Sequence, residues 1–238
     1  MLEAQPSPEA FEQLLGSLLE AGVRLIQLRD KSASDAVMLD RGRRAMALAH
    51  RIDGRSPAIV LINDRVAVAA AAGVDGVHLG AADLPVAEAR RILGPGRLIG
   101  RTAHDLAEAC AAQAAGADCL GIGPCYPSAT KSFAEQAPRD FLRDTAAGIP
   151  LPLFAIGGIT PERLPELAAL GIHRVAVAAA VTAAPDPAAA AREFLAALAL
   201  ATRPPDHEPS SSARRLSQGT GRQGTTAAND SGNPLGPA

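Results

Sequence analysis

Residues 58–80 of the chain read AIVLINDRVAVAAAAGVDGVHLG. A short apolar run ends there in Asn63 and Asp64, an Ala-rich helical segment follows, and a second apolar run ends at Gly80. Apolar runs of this length are typical of strands that are buried on both faces of a parallel sheet. The pattern predicts a strand, a helix and a second strand, with polar residues at the end of the first strand.

The same alternation recurs along most of the chain. Seven apolar runs are found, at residues 23–31, 58–64, 74–80, 97–104, 118–124, 151–158 and 174–181. Segments with apolar residues at helical spacing, such as 34–50 and 105–115, lie between them. Open doubly wound sheets share this order but place a single Gly-rich turn early, whereas here polar groups follow nearly every strand. We therefore expect a TIM-type (βα)8 barrel.

The first strand of such a barrel is missing from the pattern. Residues 1–8 include Pro6 and Pro8 and have no strand signal, and an amphipathic helix follows them, marked by Phe11, Leu14, Leu15, Leu18 and Leu19. Either the chain begins downstream of the true start, or the barrel has an open seam. In an open barrel, the strands predicted within 23–28 and 174–181 would flank that seam with unpaired backbone groups.

Composition limits the possible functions. The chain has 238 residues, 47% of them hydrophobic, and a net charge of −2, which fits one barrel domain over residues 1–202. It has no basic stripe for nucleic acid and no apolar run that would span a membrane. The cysteines, Cys110, Cys119 and Cys125, form no CxxC pair, so we expect a protein of the reducing cytoplasm. Residues 203–238 are rich in Pro, Gly, Ser and Thr and are predicted to form a disordered tail.

Cationic groups follow the first apolar run. Gln27, Arg29 and Lys31 alternate, so a strand would place them on one side, at the mouth of the barrel. This arrangement suits an anion. A charged strand end that merely faces water is the alternative interpretation.

Two aspartates follow the next two runs. Asp64 comes directly after Asn63, and Asp83 follows the run that ends at Gly80. Carboxylates on neighbouring strand ends are suitable Mg²⁺ ligands, because this hard cation prefers oxygen and is often shared with substrate phosphates. Each aspartate also precedes a predicted helix, so capping of that helix is the alternative.

Two later loops are candidates for phosphate binding. The segment GPCYPSATKSF, residues 123–133, combines Ser128, Thr130 and Lys131, and Gly157 and Gly158 precede a predicted helix start. Ordinary turns would explain both loops equally well.

Polar residues also end the runs at 74–80 and 97–104. Thr102 and His104 lie at the end of one, and His78 near the end of the other. Histidines in such positions are more often structural hydrogen-bonding groups than catalysts.

Six segments taken together resemble one known family. QLRDK, IND, GVHLGAADLP, GRTAHD, GPCYPSATK and AIGGIT occur in this order and are similar to motifs of the thiamine phosphate synthase family. The resemblance implies a Mg²⁺-assisted displacement of pyrophosphate from a hydroxymethylpyrimidine diphosphate by the ring nitrogen of a thiazole phosphate. Its product would be thiamine phosphate.

The resemblance also implies roles for individual residues. Asp64 and Asp83 would bind the metal, and Gln27 would help to hold the pyrimidine. The diphosphate would be bound by Arg29, Lys31, Asn63, Thr102 and Lys131, of which Arg29, Lys31 and Lys131 are the candidate catalytic cations. Further substrate contacts would come from Leu28, Asp30, Ser128, Ala129, Thr130, Gly157, Gly158, Ala178 and Ala179. The expected partners are small-molecule substrates, and a homo-oligomer is possible.

Three positions depart from the family pattern. Ala81 stands where the family has Gln, Thr102 where it has Ser, and Ala178 with Ala179 where it has Val-Ser. Thr102 keeps the hydroxyl group, whereas Ala179 removes one.

Three alternatives remain open. A thiazole tautomerase relative would need neither the diphosphate nor its metal, so the presence of Lys31, Asp83 and Lys131 favours the synthase. A sugar-phosphate isomerase or aldolase would need a Glu base or a Schiff-base Lys, and neither is convincingly placed. The third alternative is an inactive binder of thiazole phosphate.

Overall fold

Seven parallel strands form one sheet, in the same order as they occur along the chain. They are β1 (Leu25–Leu28), β2 (Ile59–Asn63), β3 (Gly76–Leu79), β4 (Leu98–Ala103), β5 (Cys119–Ile122), β6 (Leu153–Ile156) and β7 (Val175–Ala176). The structure is a computed structural model that describes residues 1–3, 5–52, 57–127 and 136–203. Apart from Arg203, the predicted tail lies outside these residues.

Helices alternate with the strands, as the sequence predicts. They are α1 (Pro8–Glu20), α2 (Asp35–Ile52), α3 (Val66–Ala72), α4 (Val86–Leu93), α5 (Leu106–Ala114), α6 (Arg139–Gly148), α7 (Leu164–Ala169), α8 (Ala179–Thr182) and α9 (Pro187–Ala201), and a 3-10 turn (Pro161–Arg163) precedes α7. The sheet is curled and TIM-like, so the predicted fold class is confirmed. None of the helices in the described ranges is long and apolar enough to cross a membrane.

Apolar side chains fill the concave face of the curled sheet and the layer between the sheet and its helices. Strand residues such as Val60, Ile62, Val77 and Ile99 are fully buried. The predicted apolar face of α1 is confirmed: Phe11, Leu15, Leu18 and Leu19 are buried, and Leu14 packs beside them. Their burial removes large apolar areas from water, which is the main term that stabilises the fold.

A first strand is missing from the described residues, as the sequence predicts, but the seam next to β1 is partly filled by the first residues of the chain. Leu2 forms an isolated parallel bridge with Leu28, in which Leu2 N donates to Gln27 O at 2.8 Å and Arg29 N donates to Leu2 O at 2.7 Å. The amino nitrogen of Met1 donates to Val177 O at 2.7 Å, just beyond β7. These two residues therefore lie between β1 and β7, although they are too few to form a strand.

The last predicted strand is much shorter than expected. Residues 174–181 were expected to be extended, but β7 contains only Val175 and Ala176, and Ala179 already begins α8. The physical reason is composition, because alanine favours helix and is depleted in strands.

At the amino ends of the strands, aspartates join neighbouring strands. Asp75 Oδ2 accepts a bond of 2.8 Å from Val60 N, and Asp118 Oδ2 accepts one of 2.7 Å from Ile99 N. Arg90 pairs with Asp118. In barrels of this type, this end contributes stability, and the opposite end carries the active site.

Candidate active site

Side chains from β1 and β2 meet at the carboxyl end of the sheet. Gln27 Nε2 donates to Asn63 Oδ1 at 2.9 Å, and Lys31 Nζ lies 3.9 Å from Asp64 Oδ2. Arg29 is mostly buried and forms an ion pair of 3.2 Å with Glu3. The structure thus brings together the predicted anion-binding group and the Asn63–Asp64 pair.

Asp64 has an unusual backbone conformation. Its φ angle is +62°, the only positive value for a non-glycine residue in the described part of the chain. Its amide donates to His78 O at 2.9 Å, which ties the end of β2 to β3. Aspartate tolerates this left-handed region better than most residues, and such conformations cluster at functional sites.

Neither aspartate caps a helix, so the capping interpretation is wrong for both. Arg65 and Pro85, not Asp64 and Asp83, are the residues that directly precede α3 and α4, and no side chain caps either helix. Asp83 Oδ2 instead accepts a bond of 2.7 Å from Gly80 N within its own loop. Both carboxylates are left at the mouth.

The two carboxyl groups interact with each other. Burial, together with hydrogen bonding and charge repulsion from Asp83, raises the pKa of Asp64 to about 6, against the opposing influence of Lys31 and Arg29. A divalent cation would relieve this repulsion, and carboxylate oxygens are the donors that Mg²⁺ prefers. In the described ranges no group of three or more His, Cys, Asp or Glu side chains could hold a metal ion.

A cavity adjoins these groups. Its volume is about 200 Å³, and it is lined by Asp30, Lys31, Asn63, Asp64 and Arg65. Two cations and two aspartates therefore line one space at the mouth, and the Lys31 side chain is 68% exposed.

Thr102 is linked to His78 inside the barrel. The two side chains lie 2.9 Å apart, from Nε2 to Oγ1, and burial, with the charge of Arg101, lowers the pKa of His78 to about 4. The imidazole lies against Gly100 and Gly121, where an added Cβ would come within 2.5 Å and 3.2 Å of it. His78 is therefore a neutral structural group, as the sequence suggests. His104 is also tied to the backbone, with Nδ1 2.7 Å from Gly123 O.

Gly157 and Gly158 allow two loops to pack closely. Their φ angles are +90° and +61°, and an added Cβ would collide with Pro124 at the first position and with the Pro127 carbonyl at the second. Tyr126 N donates to Gly157 O at 3.1 Å. The structure gives the glycines this turn role, and their phosphate role stays a prediction. The predicted residues Ser128, Ala129, Thr130 and Lys131 lie outside the described part of the chain.

Four further residues were predicted to contact substrate: Leu28, Asp30, Ala178 and Ala179. Leu28 is buried in the core, and the Asp30 carboxylate is occupied by Ser32, Ala33 and Arg41. Ala178 and Ala179 lie at the turn into α8.

Sequence reasoning missed three residues of this mouth. Arg65 lines the cavity, Glu3 pairs with Arg29, and Arg101 donates to Ala81 O and Leu84 O on the loop that carries Asp83. Arg65 had a usable signal, because it directly follows Asn63 and Asp64 at a strand end. The other two had none.

Fold and site together define a class of protein. It is a parallel βα barrel whose strand ends gather cations and a pair of carboxylates, as enzymes of small phosphorylated substrates do. The chain belongs to the thiamine monophosphate synthase family, whose model, TMP-TENI, matches residues 2–181.

Individual relatives agree with this assignment. The chain is 41% identical over 187 residues to a thiamine-phosphate synthase of Synechococcus, covering 79% of this chain and 52% of that protein. It is 44% identical over 186 residues to a putative thiamine-phosphate synthase of Geobacter sulfurreducens, covering 78% and 85%. The chain thus spans about half the length of the first relative and most of the second.

A solved structure shares the fold. The thiamine phosphate pyrophosphorylase from Pyrococcus furiosus is 32% identical, with a TM-score of 0.73, and the match covers 81% of this chain and 91% of that one.

Proposed function

We propose that this protein joins a hydroxymethylpyrimidine diphosphate to a thiazole phosphate, giving thiamine phosphate and pyrophosphate. One observation carries the proposal: the carboxyl groups of Asp64 and Asp83 meet beside the cations Arg29 and Lys31. A substrate with a diphosphate leaving group and a divalent cation would complement both kinds of charge. The family relationship supports the choice of substrates.

Mg²⁺ is part of this proposal, and the donor set fits it. Asp64 and Asp83 would hold the ion together with oxygens of the substrate diphosphate. When bound, it would neutralise charge on the departing pyrophosphate. The charge repulsion between the carboxyl groups of Asp64 and Asp83 in the metal-free protein supports a cation at this place.

The protein side chains would act by charge and by position. Arg29 and Lys31, with Lys131, would bind the diphosphate and stabilise negative charge as the bond between the methylene carbon and oxygen breaks. Pyrophosphate leaves with the bonding electron pair, and the thiazole nitrogen supplies the pair for the new carbon–nitrogen bond. The amino substituent of the pyrimidine stabilises the positive charge in between, so bond breaking runs ahead of attack.

No side-chain nucleophile is needed. Burial is the largest factor that raises the pKa of both Cys119 and Cys125 to about 11, so both thiols are protonated at neutral pH. Gln27 and Asn63, which are hydrogen-bonded to each other, would fix the pyrimidine and diphosphate ends of one substrate.

A thiazole tautomerase activity is the second candidate, and the site favours it less. Such an enzyme would need neither the carboxylate pair nor Lys31. The cytoplasmic location and the homo-oligomer stay predictions.

The test is an assay with both substrates, in the presence of Mg²⁺ and after chelation. We expect thiamine phosphate and pyrophosphate to form in equal amounts only with the metal. Absence of product with Mg²⁺ would contradict the proposal. Calorimetric binding of thiazole phosphate without turnover would then identify an inactive binder.

A further inference from the structure

Arg65 joins the two loops that carry the candidate charged groups. Its Nη1 lies 3.0 Å from Asp35 Oδ1, and its Nη2 donates to Asp30 O at 3.1 Å. Asp30 and Asp35 flank Lys31 on the segment between β1 and the start of α2. Arg65 itself directly follows Asp64, at the end of β2.

The Arg65 side chain is largely buried between these loops. Only 23% of the Arg65 side chain is exposed, and the residue lines the cavity together with Lys31 and Asp64. A guanidinium group presents several donors in a fixed plane, so two bonds to two separate points hold one loop against the other. A lysine could make only one of these bonds with the same geometry.

Lys31 needs such a support. Its side chain is 68% exposed, and its ion pair with Asp64, at 3.9 Å, is long. Pairs of this kind contribute little by themselves, because exposed charges are screened and long side chains lose entropy when they are fixed. The position of Lys31 relative to Asp64 therefore depends on the backbone of its loop, which Arg65 contacts at Asp30 and Asp35.

We propose that Arg65 is a positioning residue, which acts through Lys31 by holding the loop after β1 against the turn after β2. The ligand that it prepares the site for is a diphosphate bound with a divalent cation. This role rests on the proposed function and adds a residue to it. Arg65 itself need not touch the substrate.

The test is a double-mutant cycle between Arg65→Gln and Lys31→Gln. The probe is inorganic pyrophosphate titrated by calorimetry in the presence of Mg²⁺, which requires no turnover. If Arg65 acts through Lys31, each single variant weakens pyrophosphate binding, Arg65→Gln by about tenfold, as is usual for a supporting contact. The double variant then binds no more weakly than Lys31→Gln alone. If the fold losses of pyrophosphate affinity in the two single variants multiply in the double variant, the proposal is wrong.

Kinetics provide a second readout. Arg65→Gln should raise KM for the pyrimidine diphosphate and the Mg²⁺ concentration at half-saturation, with kcat changed much less. Arg65→Lys should recover part of the loss. A loss that appears only as a lower melting temperature, with unchanged pyrophosphate binding, would show a purely structural role and refute the proposal.

Two further variants keep the test decisive. Asp35→Asn weakens one of the two contacts of Arg65 without changing the arginine, so it should weaken pyrophosphate binding in the same direction, even if Arg65→Gln does not fold. Arg43→Gln is the matched control, because Arg43 of α2 donates to Ala71 O of α3 away from the mouth. It should leave pyrophosphate binding unchanged.

The outcome separates this proposal from the proposed function. A wild-type protein that binds Mg²⁺ and pyrophosphate but makes no thiamine phosphate would refute the activity, and the cycle would still decide the role of Arg65. If the wild type makes thiamine phosphate but the losses of pyrophosphate affinity in Arg65→Gln and Lys31→Gln multiply in the double variant, only the role of Arg65 is refuted.

Discussion

Asp30 Oδ2 accepts a hydrogen bond of 2.7 Å from Arg41 Nη1, and this bond fixes the loop after β1 to α2. The other carboxylate oxygen accepts bonds from Ser32 and Ala33. Burial by itself would raise the pKa of this carboxyl group, but the hydrogen bonds from Ser32, Arg41 and Ala33 outweigh it and lower the pKa to about 2. The aspartate is thus a structural anchor of the loop that carries Lys31.

This anchor predicts a pH dependence. Because the folded state holds Asp30 ionised to a lower pH than the unfolded state does, its stabilising effect is complete above about pH 4 and is lost as the pH falls towards 2. Asp30→Asn should reduce the free energy of unfolding at pH 7 by roughly 2 kcal/mol. Urea titrations of both proteins should show this difference shrinking from pH 4 to pH 2. A constant difference would contradict the anchor role.

Gly100 makes room for the His78 ring, and this predicts the result of a small substitution. In Gly100→Ala the new Cβ would lie 2.5 Å from His78 Nδ1, so we expect a loss of about 1–3 kcal/mol in unfolding free energy. Gly96→Ala is the matched control, since no atom lies within 4 Å of its added Cβ. Thermal melting should separate the two, and equal melting temperatures would refute the packing argument.

The carboxylate pair predicts a separation of stability from activity. Asp64→Asn should lower turnover by at least about 100-fold, because roughly 3 kcal/mol of charge stabilisation would be lost with the metal. The metal-free variant should melt no lower than the wild type, since the repulsion with Asp83 is removed. Activity assays and calorimetric Mg²⁺ titrations check this, and Asp83→Asn should behave alike. Turnover close to that of the wild type would refute the metal assignment.

The opposite end of the sheet predicts the reverse behaviour. Asp75→Ala leaves Val60 N without its acceptor, so stability should fall by about 1–3 kcal/mol. The residue is remote from the mouth, so kcat and KM should stay near those of the wild type at temperatures where the variant is folded. Loss of activity without loss of stability would contradict this division between the two ends.

Much of the fold could be predicted from the sequence, because β2 and β3 are short apolar runs that end in polar residues or glycine, and an Ala-rich helical segment lies between them. Leu2 could not be found, since an apolar stretch of only Met1 and Leu2 has no period. The early end of β7 follows from the alanines of this run, which favour helix although the run as a whole is apolar like a buried strand.

The part of the site formed by polar and charged residues that directly follow a strand was predictable from the sequence. Arg29, Lys31, Asn63 and Asp64 could be placed at the mouth for that reason. The contact between Asp64 and Asp83, and the exclusion of capping, depended on loop geometry that sequence does not encode locally. Arg65 directly follows Asn63 and Asp64, so its place at the mouth was open to the same argument, but its contacts with Asp35 and Asp30 depend on loop geometry.

The bridge formed by Leu2 has a consequence for work with this protein. The Arg29 amide donates to Leu2 O in a bridge of a single residue, so hydrogen exchange at Arg29 should report opening of this seam without global unfolding. Any residues joined upstream of Met1, such as a purification tag, must leave the barrel wall next to Val177, close to the loop that precedes α8. A tag at this end would therefore lie beside the mouth and could disturb the packing of Met1 and Leu2 between β1 and β7.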